Sequence, residues 1–174
     1  GGGSLSTTGV VFEDDILADT GNTLELKVND GAVFFRGSVG SSVDNPILIT
    51  GGNANTGTTS QLNFQILNTE NVDVYASIMN QVSEGGSNLL NMNIKNSSGA
   101  DDSIIAFKTS IGGDNPAATD AFISNLTIGD DGGAAINNII FEGQYLNTNG
   151  INIGVSGLEA QTHNLEFRNT NAEI

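Results

Sequence analysis

The chain has 174 residues, with 20 acidic side chains against 5 basic ones, a formal net charge of −15 and no Cys. No disulfide framework and no thiolate metal site can exist. The charge opposes binding to nucleic acid or to anionic membrane surfaces, both of which need a basic footprint. The length suggests one domain, large enough to bury a core.

In chain order, the opening Gly1-Gly2-Gly3-Ser4 reads as part of a flexible N-terminal segment over residues 1–9. A single domain is expected over 10–174. Short apolar runs follow one another through it: 10–12, 24–28, 33–35, 47–49, 62–66, 72–75, 89–94, 104–107, 126–128, 139–141, 151–155 and 165–167. Leu24-Glu25-Leu26-Lys27-Val28 and Leu62-Asn63-Phe64-Gln65-Ile66 alternate strictly, the period of a strand with one face inward. Gly and Asn, 23 of each, cluster between the runs, where turns need positive φ or tolerate it. Only 115–123, with Pro116 at a first helical position, and 156–162 read as short helices. No run of about 18 apolar residues offers a membrane helix. The chain does not begin with Met and shows no signal peptide, so a mature fragment, or a subunit of a larger assembly, is expected.

Four segments share an order of apolar run, polar residue and turn: 32–40, 72–78, 104–112 and 138–143. Their aromatic markers Phe35, Tyr75, Phe107 and Phe141 form a candidate core ladder. Each segment is followed by a second short strand, at 47–49, 91–94, 126–128 and 165–167. A recurring strand order with tolerant loops is the behaviour of stacked repeats. The fold class expected is therefore all-β, a parallel β-helix (β-solenoid) of short rungs with variable polar turns. The alternative is a β-sandwich or jelly roll, which also has short strands at such spacing.

The stretch Gly31-Ala32-Val33-Phe34-Phe35-Arg36-Gly37-Ser38-Val39-Gly40, followed by Asn45-Pro46-Ile47-Leu48-Ile49, resembles the passenger repeats of bacterial autotransporters and filamentous-haemagglutinin-like adhesins. Ser110-Ile111-Gly112-Gly113-Asp114-Asn115-Pro116 carries the same idea. The second and fourth copies depart from it at Ala76-Ser77-Ile78-Met79 and Gly143-Gln144-Tyr145-Leu146. The resemblance implies a right-handed parallel β-helix displayed at a bacterial cell surface, with a host or cell-surface glycan or protein as partner.

Catalytic chemistry finds little footing. Acidic pairs stand at Asp14-Asp15, Asp101-Asp102 and Asp130-Asp131, and the last lies in Gly129-Asp130-Asp131-Gly132-Gly133. Such a turn offers hard oxygens, so Asp130 and Asp131 are the candidate calcium ligands. The Gly-Gly-x-Gly-x-Asp calcium repeat is missing, and ordinary turn carboxylates are solvated. Carboxylates on adjacent strands, about 4.8 Å apart, could reach glycosidase geometry. Yet the chain has no Trp and two Tyr, so a sugar platform is lacking. His163 is the only His and has no nucleophile pattern around it. Asn96-Ser97-Ser98 and Asn125-Leu126-Thr127 match the glycosylation pattern, as chance allows in a chain rich in Asn and Ser. Asn91, Asn93 and Asn96 are candidates for amide stacks between strands.

The expectation is a non-enzymatic extracellular module of structural or adhesive kind, with no cofactor other than calcium. The alternative is a carbohydrate-binding or carbohydrate-active β protein such as a phage tail-fibre piece. Open ends of a parallel stack expose unpaired N–H and C=O groups. Val10 and Phe12 at one end, and Leu165 and Phe167 at the other, are the expected assembly edges. They would meet other copies or neighbouring repeats of a longer chain.

Overall fold

A computed structural model describes residues 3–6, 9–18, 23–28, 31–44, 46–51, 59–66, 71–80, 89–96, 103–112, 123–129, 136–153 and 162–169. Among them there are strands, turns and bends, and no helix. The strands are β1 (Gly3–Ser6), β2 (Gly9–Phe12), β3 (Glu25–Val28), β4 (Gly31–Phe35), β5 (Ile47–Gly51), β6 (Thr59–Ile66) and β7 (Val72–Val74). They continue as β8 (Ala76–Asn80), β9 (Leu89–Asn96), β10 (Ile104–Phe107), β11 (Asn125–Ile128), β12 (Ile136–Phe141), β13 (Ile151–Ile153) and β14 (Thr162–Phe167).

They lie in three open sheets. Sheet I has the order β1-β2-β4-β6-β9-β11-β13, sheet II β14-β12-β10-β7, and sheet III β3-β5-β8. Every pairing is parallel except β1 with β2. Antiparallel hairpins, the substance of a sandwich or jelly roll, are confined to that one pair. Isolated bridges extend sheet II through Val74, Val39 and Ile16, and sheet III through Ile78, Ile111 and Leu146. The chain thus visits sheets I, II and III in turn and returns to sheet I one strand further along.

Each such pass places inward residues in three columns. Sheet I contributes Phe12, Phe35, Phe64, Ile94, Ile128 and Ile153. Sheet II contributes Ile16, Val39, Val74, Phe107, Phe141 and Phe167. Sheet III contributes Leu26, Ile49, Ile78, Ile111 and Leu146. The middle members of all three columns are buried in one apolar cluster. Every pass supplies one Phe and otherwise aliphatic residues, so the cross-section keeps its volume, as a close-packed interior requires.

The Phe rings form one continuous stack: Phe12, Phe35, Phe64, Phe107, Phe141, Phe167, with centroids 5.1–5.6 Å apart. Three of the four expected ladder residues, Phe35, Phe107 and Phe141, are buried in it. Tyr75 is not in it, which corrects the sequence reading. It follows Val74, which fills the column position, so its half-buried ring stands off the inward set.

Outside the core, amides link the strands. Asn93 Nδ2 donates to Asn63 Oδ1 at 2.9 Å, and Asn63 Nδ2 to the Val33 carbonyl at 3.2 Å. Asn125 Nδ2 donates to Asn91 Oδ1, and Asn164 Nδ2 to Asn138 Oδ1 at 2.7 Å. In three of these four bonds an Asn side chain meets its equivalent on the neighbouring strand, a repeating bond that fixes register. Both expected helices fall largely outside the described residues. Of the first, Ile123 is described and bridges Thr148; of the second, Thr162 opens β14.

Candidate assembly site

The two ends of the sheets differ. At the N-terminal end, β1 pairs antiparallel with β2, from Gly3 opposite Phe12 to Ser6 opposite Gly9. The expected flexible segment 1–9 therefore holds a strand, and Val10 and Phe12 have a strand beside them in place of an open edge. Phe12 is half-buried and its ring lies 5.6 Å from that of Phe35, nearly parallel at 6°. Sheet III ends at β3, whose Leu26 packs on the core and whose Val28 is buried.

At the C-terminal end, β13 and β14 are the outermost strands of sheets I and II. Ile151 is 39% exposed, Ile153 53% and Phe167 40%, although all three continue columns that are buried one strand earlier. Leu165 is partly buried against the core. A cleft of about 620 Å³ runs along β14, lined by Ile104, Ile140, His163, Asn164, Glu166 and Arg168 among others. Burial holds the His163 imidazole below its ordinary pKa.

Charged residues stand one past five of the six ladder Phe, and Gln65 follows the other, Phe64. Arg36 follows Phe35 and holds Glu13 of the preceding pass through Nη1 at 2.6 and 2.8 Å, while its Nε donates to Gln65 Oε1 at 3.4 Å. Lys108 follows Phe107, Glu142 follows Phe141 and Arg168 follows Phe167. Glu142 Oε1 accepts from Lys108 Nζ at 3.1 Å on one side and from Arg168 Nη1 at 3.4 Å on the other. Charges therefore alternate from strand to strand, plus, minus, plus. Burial works to lower the Lys108 pKa, but the hydrogen bond to Glu142 and the charges of Asp73 and Glu142 outweigh it and raise the pKa. Arg168 also forks onto Glu166, with Nε–Oε1 at 2.8 Å and Nη2–Oε2 at 3.1 Å. That hydrogen bond holds the Glu166 carboxyl below its usual range, and both side chains are about half exposed to solvent.

The chain matches no family model, no curated protein and no solved structure.

Asp130 and Asp131, the expected calcium ligands, and Asp101-Asp102 lie outside the described residues. Asp14 and Asp15 are exposed, and Asp15 Oδ1 accepts from the Ser38 amide at 2.7 Å. Among the described residues, no three His, Asp or Glu groups gather to hold an ion. No described helix is long and apolar enough to cross a membrane. The charge ladder was missed from sequence. Its signal was present, since Arg36, Lys108 and Arg168, three of the five cations, each follow a Phe.

Proposed function

We propose that the chain is a non-catalytic structural or adhesive module of an extracellular or bacterial cell surface, built as a parallel β-solenoid that extends by strand addition. The observation that carries this reading is the stack of six Phe rings, one per pass, ending on an exposed Phe167. A stack made from one repeated layer has no intrinsic length and continues wherever another layer of the same section is supplied. Ile151, Ile153 and Phe167 expose the column side chains to which such a layer would add. Six of the ten aromatic residues lie in this stack, so their area supports length and stiffness; a sugar platform would need them facing a cleft. The acidic surface suits a solvated rod in a salty exterior. The resemblance to adhesin passenger repeats points the same way and supplies the cell-surface location.

Electron microscopy of the native particle tests the reading. Six passes at about 4.8 Å predict a body about 29 Å along the stack, and longer rods at multiples of it. A compact globule whose dimensions do not follow the strand spacing, or measurable turnover of a polysaccharide, would remove it.

A further inference from the structure

The open end of β14 specifies what it would accept. A parallel strand there must place an aliphatic residue beside Leu165, an aromatic ring on Phe167 and a carboxylate beside Arg168, since those are the rules that β10, β12 and β14 already follow. The spacing is aliphatic, any residue, Phe, acid. Besides β12 itself, which sets the rule at Ile139-Ile140-Phe141-Glu142, one described strand of this chain has it: Val10-Val11-Phe12 in β2, with Glu13 directly after. We propose that the C-terminal end of one copy docks the N-terminal end of a second copy, β14 pairing in parallel with the β2 of that copy. This rests on the reading of the chain as an extending module and adds to it the partner and the register.

The electrostatics agree. Glu142 sits between Lys108 and Arg168, bonded to both. Glu13 is bonded to Arg36 on one side only. With Phe12 of the second copy on Phe167, its Glu13 falls beside Arg168 and takes the place between two cations that Glu142 holds within the chain. Charges would then alternate across the junction as Lys108, Glu142, Arg168, then Glu13 and Arg36 of the second copy. Leu165 would face Val10, and Asn164 would face Gly9.

A second pair of sheets fits the same rotation. Each pass runs through sheets I, II and III, so setting sheet I of the second copy on sheet II of the first sets its sheet III on sheet I. The edge strand β13 then meets the edge strand β3. Ile151 and Ile153, half-exposed at alternate positions, meet Leu26 and Val28 at the same spacing. The exposed apolar row of Ile151 and Ile153 is covered in this way.

β1 stands in the way. It covers β2 through four residues, Gly3-Ser4-Leu5-Ser6, with one apolar side chain among them. Gly and Ser are weak strand formers, so a strand that offers Leu165, Phe167 and Arg168 competes well for the same backbone groups. β1 is thus a displaceable cover that keeps single copies apart at low concentration.

Sedimentation velocity of the full chain over a concentration series tests the proposal. The wild type associates end to end. Phe167→Asp weakens the association about a hundredfold, as loss of a central aromatic anchor does. Arg168→Glu weakens it about tenfold, and Glu13→Arg in the same chain recovers part of the loss, since it reinstates opposite charges at the junction while leaving like charges beside Glu142 and Arg36. Consecutive strand residues point their N–H groups to opposite sides, so Ser4→Pro with Leu5→Pro removes whichever one bonds β2. That variant associates about tenfold more tightly. Unchanged melting temperatures show that the surface variants fold. Association indifferent to Phe167→Asp and to the charge swap would overturn this junction and leave the surface-module reading standing. A monomer at every concentration, in both wild type and the double-proline chain, would overturn the junction outright.

Discussion

The rings of Phe64 and Phe107 meet edge to face, 83° apart with centroids 5.2 Å distant, while each of the other four contacts in the stack is near parallel, within 22°. Phe64 stands on sheet I and Phe107 on sheet II, so this is where the ring position crosses from one wall to the other. Ile94 takes the sheet I place that a Phe held in the three earlier passes. The volume of the section is kept, and only the wall that supplies the ring changes.

A compensated swap follows from this. Phe107→Ala should cost about 3–5 kcal/mol, because the ring is fully buried between two others. Ile94→Phe alone should cost about 1–3 kcal/mol by overpacking. Phe107→Ile combined with Ile94→Phe moves the crossing by one pass and should be more stable than the sum of the single changes by about 1 kcal/mol or more. Denaturant titration of wild type, Phe107→Ile, Ile94→Phe and the double variant measures it, and strict additivity would show that the two positions do not share a section.

The charged column should contribute modestly. Lys108 is 20% exposed at its side chain and Glu142 29%, so solvent screens the pair. Glu142→Ala should cost about 0.5–1 kcal/mol, and half a molar salt should shrink the difference. A double-mutant cycle with Lys108→Met reads the coupling. A coupling indistinguishable from zero would mean that the alternation fixes register without adding stability.

Stability should fall on acidification through His163. Burial lowers its folded-state pKa below the ordinary value of 6.5. Above 6.5 the imidazole is neutral in both states and contributes no slope. Below 6.5 the unfolded chain takes up a proton that the folded chain resists, so stability is lost until the pH passes the folded value. Thermal melts of wild type and His163→Asn across this range isolate the effect. The variant should lose less stability between neutral pH and the acid side, and equal losses would assign the slope to carboxylates instead.

How far the sequence carried the fold can be argued from one motif. The runs 32–40 and 104–112 look like copies of one repeat, each with Phe, a cation, and a Ser-Val-Gly or Ser-Ile-Gly ending. In the structure both are corners, but different corners. Phe35 to Val39 turns from sheet I into sheet II, whereas Phe107 to Ile111 turns from sheet II into sheet III. Ser38 Oγ accepts from the Asp73 amide, and Ser110 Oγ from the Gln144 and Tyr145 amides, so the chemistry of the corner is shared. Apolar alternation revealed the strands and their all-β class, because inward and outward faces differ in hydrophobicity. It could not reveal which wall each strand belongs to, because all three walls bury the same residue types. That is why Tyr75 was placed in the ladder and Phe12, Phe64 and Phe167 were not. The edge at β14 was legible as an unguarded apolar end. The cover at β1 was not, because Gly3-Ser4-Leu5-Ser6 has no pattern that its partner β2 does not impose.

The same corner yields a comparison between two glycines of equal conformation. Gly31 and Gly40 both have φ near 80°, in the left-handed region. At Gly31 an added Cβ would meet nothing within 4 Å. At Gly40 it would fall 2.6 Å from the Tyr75 carbonyl oxygen and 2.9 Å from the Tyr75 Cβ, on the neighbouring pass. Backbone cannot give way there without moving β7 against the Val39 bridge, where the Tyr75 amide donates to the Val39 carbonyl. Gly31→Ala should therefore cost only the left-handed strain, about 1–2 kcal/mol. Gly40→Ala should add the overpacking of two passes, about 1–3 kcal/mol more. Chemical denaturation of the two variants side by side gives the difference directly. Equal losses would mean that the corners of successive passes are not in contact at Gly40 and Tyr75, and the close stacking of the first corner would have to be abandoned.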